Sequence, residues 1–199
     1  MNSRMIKHFV TAVFVISPTL ASAHPGLGHA HDLAHGFFHP LGGLDHVLAM
    51  VAIGLLAAQL GGRALWLLPA SFILAMVAGA AMGMSGAHIP LAETGIAFSV
   101  IALGASITFR LALPTIAMTV MAAFFAVFHG YAHGAEMPGT LSGFGYGIGF
   151  VAATALLHAA GIALGLAVDR ISAARGAYIV QATGGAIALA GIAVLTGIV

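Results

Sequence analysis

The stretch HPLGGLDHVLAMVAIGLLAAQLG, residues 39–61, decides the fold class of this chain. From residue 43 to residue 61 it forms a mainly apolar segment, close to the roughly 20 residues that a membrane-spanning helix needs. The chain of 199 residues is 61% hydrophobic and only 6% charged, whereas soluble domains are roughly 25% charged. The sequence therefore predicts an integral membrane protein.

Five further apolar segments of similar length follow the first. They cover approximately residues 65–84, 92–109, 113–133, 144–168 and 177–198. Glycine, proline and arginine fall between the segments, as in Gly61-Gly62-Arg63, and such residues are typical of turns. We therefore expect an all-α integral membrane protein in which residues 43–199 form a bundle of six transmembrane helices.

The first 23 residues have the pattern of a cleavable signal peptide. Arg4 and Lys7 precede a short apolar stretch, and the small residues Ala21-Ser22-Ala23 resemble a cleavage site. Cleavage there would make His24 the first residue of the mature chain. Residues 24–42 are rich in His and Gly, and we expect them to form a periplasmic tail and the approach to the first helix.

Arginine positions predict the orientation of the chain in the membrane. Beyond residue 23 the only lysine or arginine residues are four arginines in alternate loops, namely Arg63, Arg110, Arg170 and Arg175. Loops rich in Lys and Arg face the cytoplasm. The mature N-terminus and the C-terminus should therefore face the periplasm, which is also the side that the signal peptide predicts for residue 24. We expect a multi-pass protein of the bacterial inner membrane.

Ionisable side chains are concentrated in two strings of the sequence. HPLGGLDH at residues 39–46 carries His39, Asp45 and His46, and FHGYAHGAE at residues 128–136 carries His129, His133 and Glu136. Such groups are costly inside a membrane and are usually functional. Imidazole and carboxylate together suit divalent ions such as nickel, cobalt or zinc. The two strings therefore predict a divalent-metal site.

The spacing within each string places its polar residues on one helix face. His129, His133 and Glu136 stand at positions i, i+4 and i+7, which form one stripe along a helix. Because the first and fourth segments run in opposite directions, we expect His39 to lie level with Glu136. The Asp45–His46 pair should then lie level with His129, in the outer half of the membrane.

Four further residues are weaker candidates for metal binding or coupling. They are His24, His29 and His31 in the tail, and Glu93 at the start of the third segment. Solvated polar residues explain the tail histidines equally well, and a favourable charge at a helix N-terminus explains Glu93 equally well. His88 is expected to be a solvated loop residue. His158 is expected to be a hydrogen-bonded structural residue within the fifth segment, with a role as a deeper relay as the alternative.

Several function classes lack the residues that they need. The chain has no cysteine, which excludes disulfides, zinc ribbons and iron–sulfur centres and leaves no thiolate for copper(I). Gly130 follows His129 where a metalloprotease helix carries Glu, and no Walker A string is present for ATP hydrolysis. The composition is not basic enough to indicate nucleic-acid binding. We expect no enzymatic activity and no permanently bound cofactor.

The residues alone leave two other functions open. Facing histidines such as His46 and His129 are able to hold haem as axial ligands, which would make the protein a membrane electron carrier. A metal sensor or an assembly accessory protein would bind the ion without transporting it.

Both strings resemble the signature segments of the HupE/UreJ family, membrane proteins associated with hydrogenase and urease systems. HPLGGLDH follows the family pattern HPxxGxDH, and FHGYAHGAE follows FHGxAHGxE. The resemblance extends over the whole chain and implies a permease that imports Ni²⁺ for hydrogenase or urease maturation, with Co²⁺ carried by related members. It places the family's important positions on the six ionisable residues of the two strings, and a further acidic position on Glu93. The oligomeric state stays open.

Overall fold

A computed structural model describes residues 28–137, 142–171 and 173–198. Within these ranges seven α-helices follow one another: α1 Gly28–Phe38, α2 Leu44–Leu60, α3 Ala64–Met84, α4 Ala92–Thr108, α5 Thr115–Ala135, α6 Gly143–Ile171 and α7 Ala173–Leu195. A short 3-10 turn, His39–Leu41, connects α1 to α2. No strand occurs in these ranges, which confirms the all-α prediction.

Helices α2 to α7 coincide closely with the six apolar segments, and the helix ends show why. α2 ends where Gly61 and Gly62 take positive φ values of 68° and 51°, which glycine adopts without steric cost. α5 begins directly after Pro114, whose ring is tolerated at a helix start because no intrahelical hydrogen bond is lost there. Apolar length and these punctuating residues together determine the helix bounds.

Four helical stretches are each long and apolar enough to cross a membrane: Ala64–Met84, Thr115–Ala135, Gly143–Val168 and Arg175–Leu195. The pair formed by α1 and α2 would add a fifth as a broken span, because the chain bends by 82° between them. α4 is apolar but has only 17 residues. The protein is therefore an all-α, multi-pass membrane protein. The predicted signal peptide and His24 lie outside the described residues.

The outer surface of the bundle is rich in large apolar side chains. Trp66, Leu74, Phe98, Phe124 and Leu156 are each between 50% and 71% exposed. Large apolar patches of this kind are unusual on a soluble monomer. They are the expected outer face of helices that are surrounded by lipid.

The helix α1 was not predicted from the sequence, which indicated a polar tail over residues 24–42. α1 packs against the first turns of α6 so closely that the two backbones are in contact. A side chain at Gly36 would strike the backbone of Tyr146, and one at Gly149 would strike that of Leu33. The buried carboxylate of Asp32 also accepts a hydrogen bond of 3.1 Å from the backbone N–H of Ser142. Glycine contacts and one buried carboxylate hold α1 against α6.

Glycine pairs bring the other helices equally close together. α3 packs on α5 through Gly79 and Gly83, and α6 packs on α2 through Gly161 and Gly165. A Cβ atom at Gly79 would strike the carbonyl oxygen of Val127, so no larger residue fits without moving a helix. Small residues at both interfaces therefore allow the close helix packing that is common in membrane proteins.

Candidate metal centre

His46, in the first turn of α2, is oriented by its neighbour in sequence. Asp45 Oδ1 accepts a hydrogen bond of 2.9 Å from the backbone N–H of His46 and lies 2.8 Å from Nδ1 of the same ring. Because an ionised carboxylate only accepts hydrogen bonds, Nδ1 carries the proton and donates it. The lone pair of His46 Nε2 is then free, and this buried atom has no hydrogen-bond partner among the described residues.

His129 lies deeper, on α5, and contacts His46 edge to face with a centroid distance of 4.8 Å. Its Nε2 is 2.7 Å from Oγ of Ser99 on α4. The other ring nitrogen, Nδ1, is buried and lacks a partner in the described part of the chain. Ser99 therefore completes the environment of His129, although no motif in the sequence pointed to it.

His133 lies beside the histidines of the first string. Its ring centroid is 4.2 Å from that of His46 and 4.8 Å from that of His39, and Phe150 contacts it at 4.4 Å. The residue is only 4% exposed. Neither of its ring nitrogens has a hydrogen-bond partner within the described ranges.

His39 and Glu136 form the outer end of the cluster. Nε2 of His39 lies 3.6 Å from Oε2 of Glu136, and Glu136 caps the C-terminal end of α5. His39, His133 and Glu136 each offer a ligand atom, and these atoms all lie within 4.8 Å of one another. The contacts of His39 with Glu136, and of His46 with His129, agree with the levels that the topology predicts.

Four imidazole nitrogens in this cluster are buried without a partner among the described residues: His46 Nε2, His129 Nδ1 and both nitrogens of His133. Leaving a buried polar atom unsatisfied costs about 1–3 kcal/mol, and each such atom in a native protein calls for a ligand, a water or a functional explanation. Imidazole nitrogens gathered beside a carboxylate are suited to bind a divalent transition metal.

A row of histidines leads from the protein surface to this cluster. His31, His35 and His39 follow one face at successive turns, with ring centroids 6.2 Å and 6.0 Å apart. They line an open cavity of about 440 Å³ together with Phe38 and Gly42. His31 was a weak candidate from the sequence. His35 was not singled out, because only the helical form of residues 28–38 places it between the other two.

The other candidates from the sequence lie apart from the cluster. Glu93 is exposed in the first turn of α4, and His88 is an exposed residue between α3 and α4, as expected for a loop position. The group of nearby ligand atoms found in the described residues does not include Glu93. The side chain of His29, like the whole of His24, lies outside what the structure describes.

Comparison with known proteins shows the family of this chain. A family model described as HupE / UreJ protein matches residues 12–194 of the chain. The chain belongs to the HupE/UreJ family. It is similar to Protein HupE from Rhizobium leguminosarum bv. viciae, with 44% identity over 180 residues, which are 90% of this chain and 92% of that protein. No solved structure matches it.

Membership of the HupE/UreJ family confirms the resemblance that the two strings indicated. In this HupE/UreJ chain the first string runs from the 3-10 turn into α2, and the second lies at the end of α5. Two other helices separate α2 from α5 along the sequence. The fold nevertheless brings their histidine rings to centroid distances below 5 Å. The two signatures are therefore parts of one structural site.

Proposed function

We propose that this HupE/UreJ protein is a permease that imports Ni²⁺ across the bacterial inner membrane, with Co²⁺ as an alternative substrate. The observation that carries the proposal is the group of four buried imidazole nitrogens without partners at the meeting point of α2 and α5. The association of the family with hydrogenase and urease suggests that the imported nickel serves the maturation of these enzymes.

The ligands divide into a deep group and an outer group. His46 Nε2, His129 Nδ1 and His133 hold the ion at depth, and His39 with Glu136 receive it from outside. Asp45 already accepts two hydrogen bonds from His46, so we assign it the role of orienting that ring, as carboxylates commonly do for metal-binding histidines. Protonated imidazole does not bind metal, so uptake should fall at acid pH.

The proposed topology places α2 to α7 across the membrane, with both mature termini in the periplasm. Arg63 precedes α3 and Arg110 follows α4, at the end of the bundle opposite to the cluster. Basic residues favour the cytoplasmic side, so the cluster and its row of histidines would open to the periplasm. His31 and His35 would then capture the ion before it reaches His39.

The membrane potential is a sufficient driving force for this import. An inward-moving divalent cation gains about 4.6 kcal/mol per 100 mV, twice the value for a single charge. The sequence offers no Walker A string for ATP hydrolysis. The HupE/UreJ family comprises transporter and accessory proteins, so we expect no enzymatic activity.

The geometry disfavours haem as the ligand. His46 and His129 touch edge to face at 4.8 Å, and Phe72 packs against His129 at 5.7 Å. Two axial ligands must instead stand on opposite sides of a porphyrin plane. A visible-region spectrum of the purified protein should therefore show no Soret band.

Uptake of radioactive nickel into proteoliposomes, with a negative potential inside, tests the proposed import directly. The wild-type protein should accumulate nickel, whereas His46→Ala and Glu136→Gln should lower the initial rate at least tenfold. His88→Ala is the matched control, because that histidine is exposed in a loop away from the cluster. Tight nickel binding by the wild type without any uptake would identify an accessory protein instead of a permease.

A further inference from the structure

His158 is a buried histidine that the cluster of α2 and α5 does not use. It lies in the middle of α6 and is 1% exposed, and neither ring nitrogen has a hydrogen-bond partner in the described ranges. The sequence-based prediction of a hydrogen-bonded structural residue is therefore wrong. Two unsatisfied nitrogens deep in a membrane protein point to a function that involves a ligand.

The neighbours of His158 connect it to the metal centre. The ring of Phe72 on α3 contacts His158 edge to face at a centroid distance of 5.2 Å, and it also contacts His129 at 5.7 Å. One turn further along α3, Met76 Sδ lies 3.7 Å from Oγ1 of Thr154 on α6. A single aromatic ring thus separates His129 from the imidazole of His158, and Met76 and Thr154 lie one helical turn nearer the outer end of the bundle.

Backbone contacts show that the two halves of the bundle repeat each other. A side chain at Gly79 of α3 would strike the carbonyl oxygen of Val127 on α5, and one at Gly161 of α6 would strike that of Val51 on α2. The step from 79 to 161 is 82 residues, and the step from 51 to 127 is 76 residues. These two steps relate α3 to α6 and α2 to α5.

A second pair of contacts obeys the same two steps. A side chain at Gly130 of α5 would strike the carbonyl oxygen of Met76, and one at Gly54 of α2 would strike that of His158. The step from 54 to 130 is again 76 residues, and that from 76 to 158 is again 82 residues. Met76 and His158 therefore occupy equivalent positions in the two halves, and by the same step Phe72 is equivalent to Thr154.

The equivalent helices run in opposite directions. The chain reverses direction between α2 and α3 at Gly61–Arg63, so these two helices are antiparallel. Contacts between α3 and α5 move in the same direction along both helices, so these two helices are parallel. α5 is thus antiparallel to α2, and the halves are related by a pseudo-two-fold axis in the membrane plane. In transporters with such inverted repeats, substrate sites lie at the repeat interface near the midplane. Rotation about that axis relates Phe72 to Thr154 and Met76 to His158. The Phe72–His158 contact is therefore the counterpart of the Met76–Thr154 contact.

Building on the proposed import function, we propose that His158, with Met76 one turn nearer the outer cluster, forms a second, deeper station for the divalent transition-metal ion at this axis. The Phe72 ring is the barrier between His158 and the outer cluster. Phe72, Met76 and Thr154 are completely buried, so the ion reaches His158 only when the Phe72 ring turns aside. One imidazole and one thioether hold an ion less firmly than three histidines and a carboxylate, which suits a site that must release its ion onward.

The test measures two properties of the full-length protein, equilibrium binding of Ni²⁺ in detergent and uptake of Ni²⁺ into proteoliposomes. His158→Leu should bind Ni²⁺ within threefold of the wild-type affinity, because the outer cluster is intact, yet its uptake rate should fall at least tenfold. Replacing a partnerless buried imidazole by an apolar side chain is expected to leave the fold intact. His158→Cys restores a metal-binding atom, so its uptake rate should be at least three times that of His158→Leu.

If His158→Leu takes up Ni²⁺ at the wild-type rate, the deeper station is overturned while import itself stays established. Joint loss of binding and uptake would overturn it too, because His158 would then support the outer cluster structurally. Equal uptake by the Leu and Cys variants would contradict a ligand role. Absence of uptake by the wild type would instead refute the import function on which the deeper station rests.

Discussion

Ser99 Oγ lies 2.7 Å from Nε2 of His129, although the two residues belong to different helices. The serine hydroxyl donates its only hydrogen to the carbonyl oxygen of Ile96 at 2.6 Å. We assign the hydrogen between Ser99 and His129 to the ring, so that Nε2 is the protonated nitrogen. Nδ1 is left with its lone pair, on a ring that packs against His46. A serine on α4 thus sets the tautomer in which His129 is able to bind a metal.

We expect Ser99→Ala to weaken nickel binding by roughly 10- to 100-fold, the usual effect of removing a group that orients a metal-binding histidine. Titration calorimetry of the purified protein measures this directly. Ser106→Ala is the matched control, since Ser106 is buried on the same helix and donates only to the carbonyl of Ala102. Equal affinities of the Ser99 and Ser106 variants would contradict the assigned tautomer.

Asp45→Asn tests the orientation of His46 from the other side of the cluster. The amide no longer requires Nδ1 to be the protonated nitrogen, so we expect nickel affinity to fall by roughly 10- to 100-fold. Glu93→Gln removes an exposed carboxylate from the first turn of α4 and should leave the affinity within twofold of wild type. A larger loss in the Glu93 variant than in the Asp45 variant would show that the wrong acid has been placed at the site.

The row of histidines on α1 should matter most at low nickel concentration. His35→Ala interrupts the ring contacts between His31 and His39, so we expect the KM for uptake to rise at least threefold with little change in the maximal rate. Initial rates over a range of nickel concentrations separate the two constants. A fall in the maximal rate at unchanged KM would place His35 in the translocation step instead of in capture.

Gly134 tests the close packing that positions α5. A Cβ atom there would strike the carbonyl oxygen of Ala80 on α3, and overpacking of this kind costs about 1–3 kcal/mol. Gly134→Ala should therefore lower the thermal unfolding temperature in detergent and weaken nickel binding through the adjacent His133. Gly147→Ala is the matched control, because nothing lies within 4 Å of its Cβ position. Equal stability of the two variants would show that α3 and α5 have room to separate.

The sequence predicted those features that depend on local spacing. Apolar length and the breaks at Gly61 and Pro114 predicted six of the seven helices, and the i, i+4, i+7 spacing predicted that His129 and His133 share a face. Features that depend on distant packing were out of reach. Ser99 reaches His129 only through the α4–α5 interface, and the close contact of α1 with α6 depends on Gly36 and Gly149, which are far apart in the sequence.

The prediction for His158 was wrong because its surroundings also depend on packing between distant helices. A lone histidine in an apolar segment is normally hydrogen-bonded, so a structural role was predicted ahead of a deeper relay. Its unsatisfied nitrogens, and its equivalence to Met76, become visible only when the contacts of α3 with α5 and of α2 with α6 are compared. A repeat carried by packing geometry need not leave a recognisable echo in the residues themselves.

The central claim is that the buried imidazoles of His46, His129 and His133 hold the nickel ion. Nickel-edge X-ray absorption of the loaded, purified wild-type protein tests it most directly, with His133→Leu measured alongside. The spectrum should show several imidazole nitrogens bound to nickel in the wild type, and fewer in the variant at equal metal loading. A wild-type spectrum with oxygen ligands alone, or one unchanged in His133→Leu, would contradict the claim.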